Sequence, residues 1–75
     1  MPFIHVYAQS GQDIETKKKA VNGIVNIINE VIGAPESVIT VAYEDIDPGN
    51  WERDVEQGII EPLRDKVLIY HGKST

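Results

Sequence analysis

The sequence has no cysteine and only two histidines, His5 and His71, near opposite ends of the chain. Disulfides and thiolate zinc sites are excluded, and two distant imidazoles make no metal site. Positive charge is scarce too: seven Lys and Arg face twelve Asp and Glu, for a formal net charge of −5. Nucleic-acid binding rests on clustered Lys and Arg, so an acidic chain without a basic block argues against it, and against an anionic membrane surface. No apolar run approaches the ~18 residues that span a bilayer. The start, Met-Pro-Phe-Ile-His, lacks the basic and apolar regions of a signal peptide. The expectation is a cytoplasmic protein that uses no metal or cofactor.

What is present fits one folded domain over residues 1–75, with 41% hydrophobic and 25% charged residues. Surface scaling gives a lone chain of this mass roughly 4,600 Å² of exposed area, with only about 60% of the open chain's surface buried. Such a core is marginal. With disulfides and thiolate zinc sites excluded, association with other chains is the remaining way to enlarge it.

Phe3 to Ala8 alternates, with Ile4, Val6 and Ala8 on one face and Phe3, His5 and Tyr7 on the other, which predicts a strand. Ser10 to Asp13 reads as a turn, Asp13 as a helix N-cap and Glu15 as a favourable first-turn charge. Apolar residues at 14, 21, 24, 25, 28, 31 and 32 then give an amphipathic helix, ended by Gly33 and Pro35. Lys17, Lys18 and Lys19 are expected on its solvated side. Val38 to Tyr43 predicts a second strand, so the unit is β-α-β with parallel strands. Asp47-Pro48-Gly49-Asn50 is a turn, and Trp51 to Gln57 a short helix with Trp51 and Val55 inward. Ile59 and Ile60 are expected to be buried, and Pro62 to limit any helix there. Val67 to Tyr70 suggests an edge strand that could add to a partner chain, and His71 to Thr75 should fray. A two-stranded parallel sheet has open edges and an uncovered face, which again points to an oligomer.

The candidate chemistry starts at Pro2. Removal of Met1 leaves a rigid secondary amine at the chain terminus. Unperturbed α-amino groups titrate near 7.7–8.0. An apolar pocket disfavours the charged form and lowers that value, giving a base poised near neutrality. While Met1 is retained, the Pro2 nitrogen is an amide and cannot act as a base.

With Met-Pro, a strand, a long amphipathic helix ending before Ala34-Pro35, a second strand and an aromatic after a glycine turn, the chain resembles the 4-oxalocrotonate tautomerase family over residues 2–51. The resemblance implies an α+β fold: a β-α-β unit with a short C-terminal helix, its sheet completed by oligomerisation. Pro2 matches the family's catalytic proline, and Trp51 in Gly49-Asn50-Trp51 matches the aromatic that walls the site. Pro48-Gly49-Asn50-Trp51 and Ile60-Glu61-Pro62 further resemble the dimeric branch typified by the YdcE-type phenylpyruvate tautomerase, so a homodimer is expected ahead of a hexamer.

Two family arginines that bind a dicarboxylate are replaced here by Gln12 and Thr40. Neither supplies the bidentate charge that Arg brings to a carboxylate. The expected substrate is therefore a less charged keto or enol acid, held by Trp51, Gln12, Thr40 and Arg53, the nearest replacement cation. Tyr43 is a secondary phenol donor, and His5 and Tyr7 are expected at subunit contacts. Two alternatives remain open: a hydratase or dehalogenase reaction on unsaturated acids, with Glu52 activating water, and a non-catalytic oligomeric binding module.

Overall fold

The computed structural model describes all 75 residues. Strand β1 (Phe3–Gln9) leads through a short turn to helix α1 (Ile14–Ile32), which returns the chain to strand β2 (Thr40–Ile46). The two strands pair in parallel, Phe3 opposite Thr40 through to Gln9 opposite Ile46, and no third strand joins them. The β-α-β unit is thus as predicted, and the fold is mixed α+β.

Local chemistry sets both ends of α1. The Asp13 carboxylate accepts from the Thr16 N–H at 2.8 Å, satisfying one of the free first-turn donors. At the other end Gly33 adopts φ 83°, and its N–H donates to the Asn29 carbonyl at 3.0 Å. The Asn29 side-chain amide donates to the Ala34 carbonyl at 2.7 Å, so Asn29 serves the helix exit as well as solvent. Val21, Ile24, Val25 and Ile28 form the half-buried stripe of the helix, at the spacing one helical face requires.

The second strand differs from expectation. Val38 belongs to a 3₁₀ turn (Glu36–Val38), and the strand runs from Thr40 to Ile46, three residues beyond Tyr43. Glu44 and Asp45 are poor strand formers by propensity, but pairing with Tyr7 and Ala8 carries them into the sheet. Alternation from Tyr43 puts Asp45 on the face toward α1, where it meets Lys17.

The C-terminal third departs further. The turn at Asp47 forms, its carboxylate accepting from Gly49 N–H at 3.0 Å. The helix after it does not stop at Gln57: it is a π-helix over Glu52–Ile60 that continues as a 3₁₀ helix over Glu61–Lys66. Pro62 does not end it: the helix changes from π to 3₁₀ there, with Ile60 and Glu61 before it both in helical conformation. The wide π turn brings the Arg53 carbonyl within 3.2 Å of where a Gly58 Cβ would sit, so glycine suits that position.

Ile59 and Ile60 are half-buried rather than buried, since no element covers their outer side. The expected edge strand is also local: Ile69–Tyr70 (β3) pairs antiparallel with Lys73–Ser74 (β4), so the terminus forms a hairpin instead of fraying. Glu56 holds that hairpin to the π-helix, accepting from the Tyr70 hydroxyl at 3.2 Å and facing His71 Nε2 at 3.4 Å.

Only Val55 (3% exposed) and Ile46 (9%) are buried, and the chain exposes 5659 Å². That exceeds the roughly 4,600 Å² expected of a compact monomer. Helix α1 contributes much of the excess, with Ile27, Val31 and Ile32 all exposed. No helix is long and apolar enough to cross a membrane.

Candidate functional site

Pro2 is half-buried immediately before β1, and Met1 projects into solvent at 99% exposure. The Pro2 carbonyl accepts from the Thr40 backbone N–H at 3.1 Å, which extends the parallel ladder by one bond and fixes Pro2 at the sheet's end. Thr40 is therefore next to Pro2. Its contact is through the backbone, and its side chain shares a face with its register partner Phe3.

The other expected site residues lie elsewhere in the chain. Gln12 is exposed in the turn that follows β1. Trp51, half-buried, and Arg53 follow the end of β2. Because the strands are parallel, both of those ends are the far end from Pro2, and a seven-residue strand spans about 20 Å. One chain thus gathers Pro2 and Thr40 at one end of its sheet and sends Gln12, Trp51 and Arg53 out from the other.

Arg53 is not a free cation. Its Nε donates to Asp54 Oδ1 at 2.8 Å, with the side chain 73% exposed. This bond raises the guanidinium above its ordinary value and holds the Asp54 carboxyl below the usual range. Glu52 is exposed on the same helix.

Lys17 overturns its predicted solvated position. Only 21% of its side chain is exposed; its ammonium pairs with Asp45 and lies 5.5 Å over the Tyr43 ring. The missing signal was the alternation Val41, Tyr43, Asp45, which points a carboxylate at the helix once β2 is carried to its real end. Tyr43 itself stands opposite Val6 in mid-strand rather than beside Pro2. On the other face of the sheet His5 stacks on Tyr7 at 4.1 Å between centroids and contacts Glu44 at 3.0 Å. Along this row Phe3 is exposed and Tyr7 half-buried.

Comparison with known proteins agrees with this architecture. The profile of the tautomerase enzyme family matches residues 2–57, starting at Pro2 and ending within the π-helix. Among solved structures, one from a characterisation of the 4-oxalocrotonate tautomerase isozymes of Methylibium petroleiphilum superposes with a TM-score of 0.64. It is 28% identical and covers 67% of this chain and 81% of that one. No curated protein matches. The chain belongs to the tautomerase enzyme family.

Proposed function

We propose that this protein is an isomerase for the keto–enol tautomerisation of a small α-keto acid, with the Pro2 amine as general base once Met1 is removed. The observation that carries this reading is that the family match begins at Pro2 itself. The half-buried setting of Pro2 and the bond from Thr40 N–H to its carbonyl add support, since a catalytic base must be both sheltered and held. The amine takes a proton from the enol hydroxyl and returns it to the α-carbon. Between the two transfers the amine is an ammonium beside the enolate it has made, and a donor steadies the developing enolate oxygen.

A site of this kind is completed between subunits. Two copies paired through β1 about a two-fold axis run antiparallel, so the Pro2 end of one faces the Gln12 and Trp51 end of the other. Gln12 then offers a neutral amide to the substrate and Trp51 a dry wall. Arg53 is tied to Asp54, so it reaches a substrate carboxylate only by giving up that partner. This arrangement favours a monoacid over a dicarboxylate. The tail over Ile60-Glu61-Pro62 favours the dimeric, phenylpyruvate-tautomerase-like branch.

The test is phenylenolpyruvate ketonisation by protein shown by intact mass to lack Met1, beside the Pro2→Ala protein. The variant is expected to lose about 10²–10⁴-fold in kcat/KM. Wild-type activity should fall as pH drops through the amine's pKa, because only the unprotonated nitrogen is a base. Equal rates for the two proteins would remove Pro2 from the mechanism.

A further inference from the structure

One concavity in the protein is remote from Pro2. A cleft of about 280 Å³ opens between the first half of α1 and β2, lined by Ile14, Lys17, Lys18, Val21, Asn22 and Tyr43. Tyr43 lies opposite Val6, about 13 Å along the sheet from Pro2 at strand spacing. The volume lies just below the roughly 300–1,000 Å³ of sites for drug-sized ligands, which suits a smaller molecule.

The lining has the mixed chemistry of a ligand site. Ile14 is 60% exposed beside the opening, and Val21 and the Tyr43 ring are half-buried, so an apolar body entering here would cover surface that water now wets. Lys17 is fixed in place by Asp45, but an ammonium has three donors and that carboxylate does not take them all. Lys18 forms no ion pair, although carboxylates outnumber cations in the chain. The Tyr43 hydroxyl and the Asn22 amide make no side-chain hydrogen bond within the chain. On an acidic protein this is an unpaired cation, Lys18, beside the Asp45-paired Lys17, flanked by unused polar groups and an apolar wall.

We infer that this cleft is an accessory binding site for a small organic monocarboxylate. The carboxylate sits on the Lys18 ammonium and the remaining donors of Lys17, and the apolar body lies against Ile14, Val21 and the Tyr43 ring. Asn22 and the Tyr43 hydroxyl complete the hydrogen bonding at the rim. The site involves none of Pro2, Gln12, Thr40 or Trp51, so it stands or falls apart from the proposed reaction.

The test is titration of the full-length, Met1-free protein with benzoate, followed by amide and side-chain NMR shifts and so read without turnover. Saturable shifts at Ile14 to Asn22 and at Tyr43 are expected, with millimolar affinity that weakens as salt is added. Lys18→Gln should weaken binding roughly threefold to fivefold, the scale of an exposed ion pair. Ile14→Ser, another exposed position, should weaken benzoate and the neutral probe benzyl alcohol alike. Lys18→Gln should leave benzyl alcohol unchanged. Shifts that rise linearly without saturation, that map away from the cleft, or that are indifferent to both substitutions would overturn the assignment.

Discussion

Asp13 shows how much a single exposed side chain can settle. Its carboxylate receives the Thr16 N–H, and that bond holds its pKa below the ordinary 3.8. A carboxyl that is more acidic folded than unfolded stabilises the fold above its unfolded value. The contribution is lost as pH falls through the lower, folded value. Asp13→Ala should therefore lower the Tm by a few degrees at neutral pH and less at strongly acid pH. Asp13→Asn keeps a capping oxygen that does not titrate, and should retain most of the stability while flattening this part of the acid response. Thermal melts from pH 7 down to pH 2 check both; identical acid profiles for all three proteins would show that the cap bond does not act in solution. Pro2 is the opposite case, a residue whose proposed role is read from its sequence neighbourhood. The proposed chemistry rests on a free nitrogen, whereas Gln12 and Trp51 lie beyond the far end of its own sheet.

At the scale of elements, the glycines of α1 separate propensity from geometry. Gly23 is in mid-helix and a Cβ there would meet nothing within 4 Å, so no backbone of the same chain approaches it. Gly23→Ala should stabilise by about 0.5–1 kcal/mol, the backbone entropy a helical glycine forfeits. Gly33 is equally open, but its φ of 83° is left-handed, and Gly33→Ala should destabilise by about 1–2 kcal/mol. Urea unfolding of the two variants should give shifts of opposite sign. A loss of stability at Gly23 would instead mean that a second chain packs there.

Helix α1 was legible because its signals are local: Asp13, the apolar rhythm, Gly33 and Pro35 act within a turn of their own positions. Strand β1 was legible for the same reason. The end of β2 was not, because Glu44 and Asp45 are held by pairing with Tyr7 and Ala8 and not by their own preference. The π-helix escaped notice since Trp51 to Gln57 carries no cue that distinguishes a wide turn from an ordinary one, and Gly58 is informative only once the Arg53 carbonyl is in view. Of the candidate site, Pro2 was singled out from the sequence and Gln12 and Thr40 from the resemblance. The separation of Pro2 from Gln12 and Trp51 is a property of the parallel sheet, and no spacing along the chain reports it.

The whole molecule is short of a core. With Val55 and Ile46 alone buried and much of the α1 stripe in water, a lone chain lacks the apolar burial that offsets chain entropy. The sheet edges, the row of Phe3, His5 and Tyr7, and Ile27, Val31 and Ile32 on α1 are all surfaces a second copy would cover. Folding is then expected to be coupled to assembly, so the Tm should rise with protein concentration; a Tm unchanged across a wide dilution range would establish a self-sufficient monomer. The same association decides where the site is. If Pro2 works with Gln12 of the partner subunit, Pro2→Ala and Gln12→Ala each spoil every site of their own homodimer. Subunit exchange between the two inactive proteins makes a hybrid that carries one spoiled pair and one intact pair. Random exchange puts half the dimers in hybrid form with one of two sites intact, so the mixture should recover roughly a quarter of wild-type turnover. Recovery must follow the exchange in time and disappear if the subunits are cross-linked beforehand. Were both residues required from one chain, every chain in the mixture would still carry a defect and no turnover would return. A Gln12→Ala protein with full activity would instead take Gln12 out of the site. The experiment therefore reads, from activity alone, whether the two ends of the sheet meet across a subunit boundary.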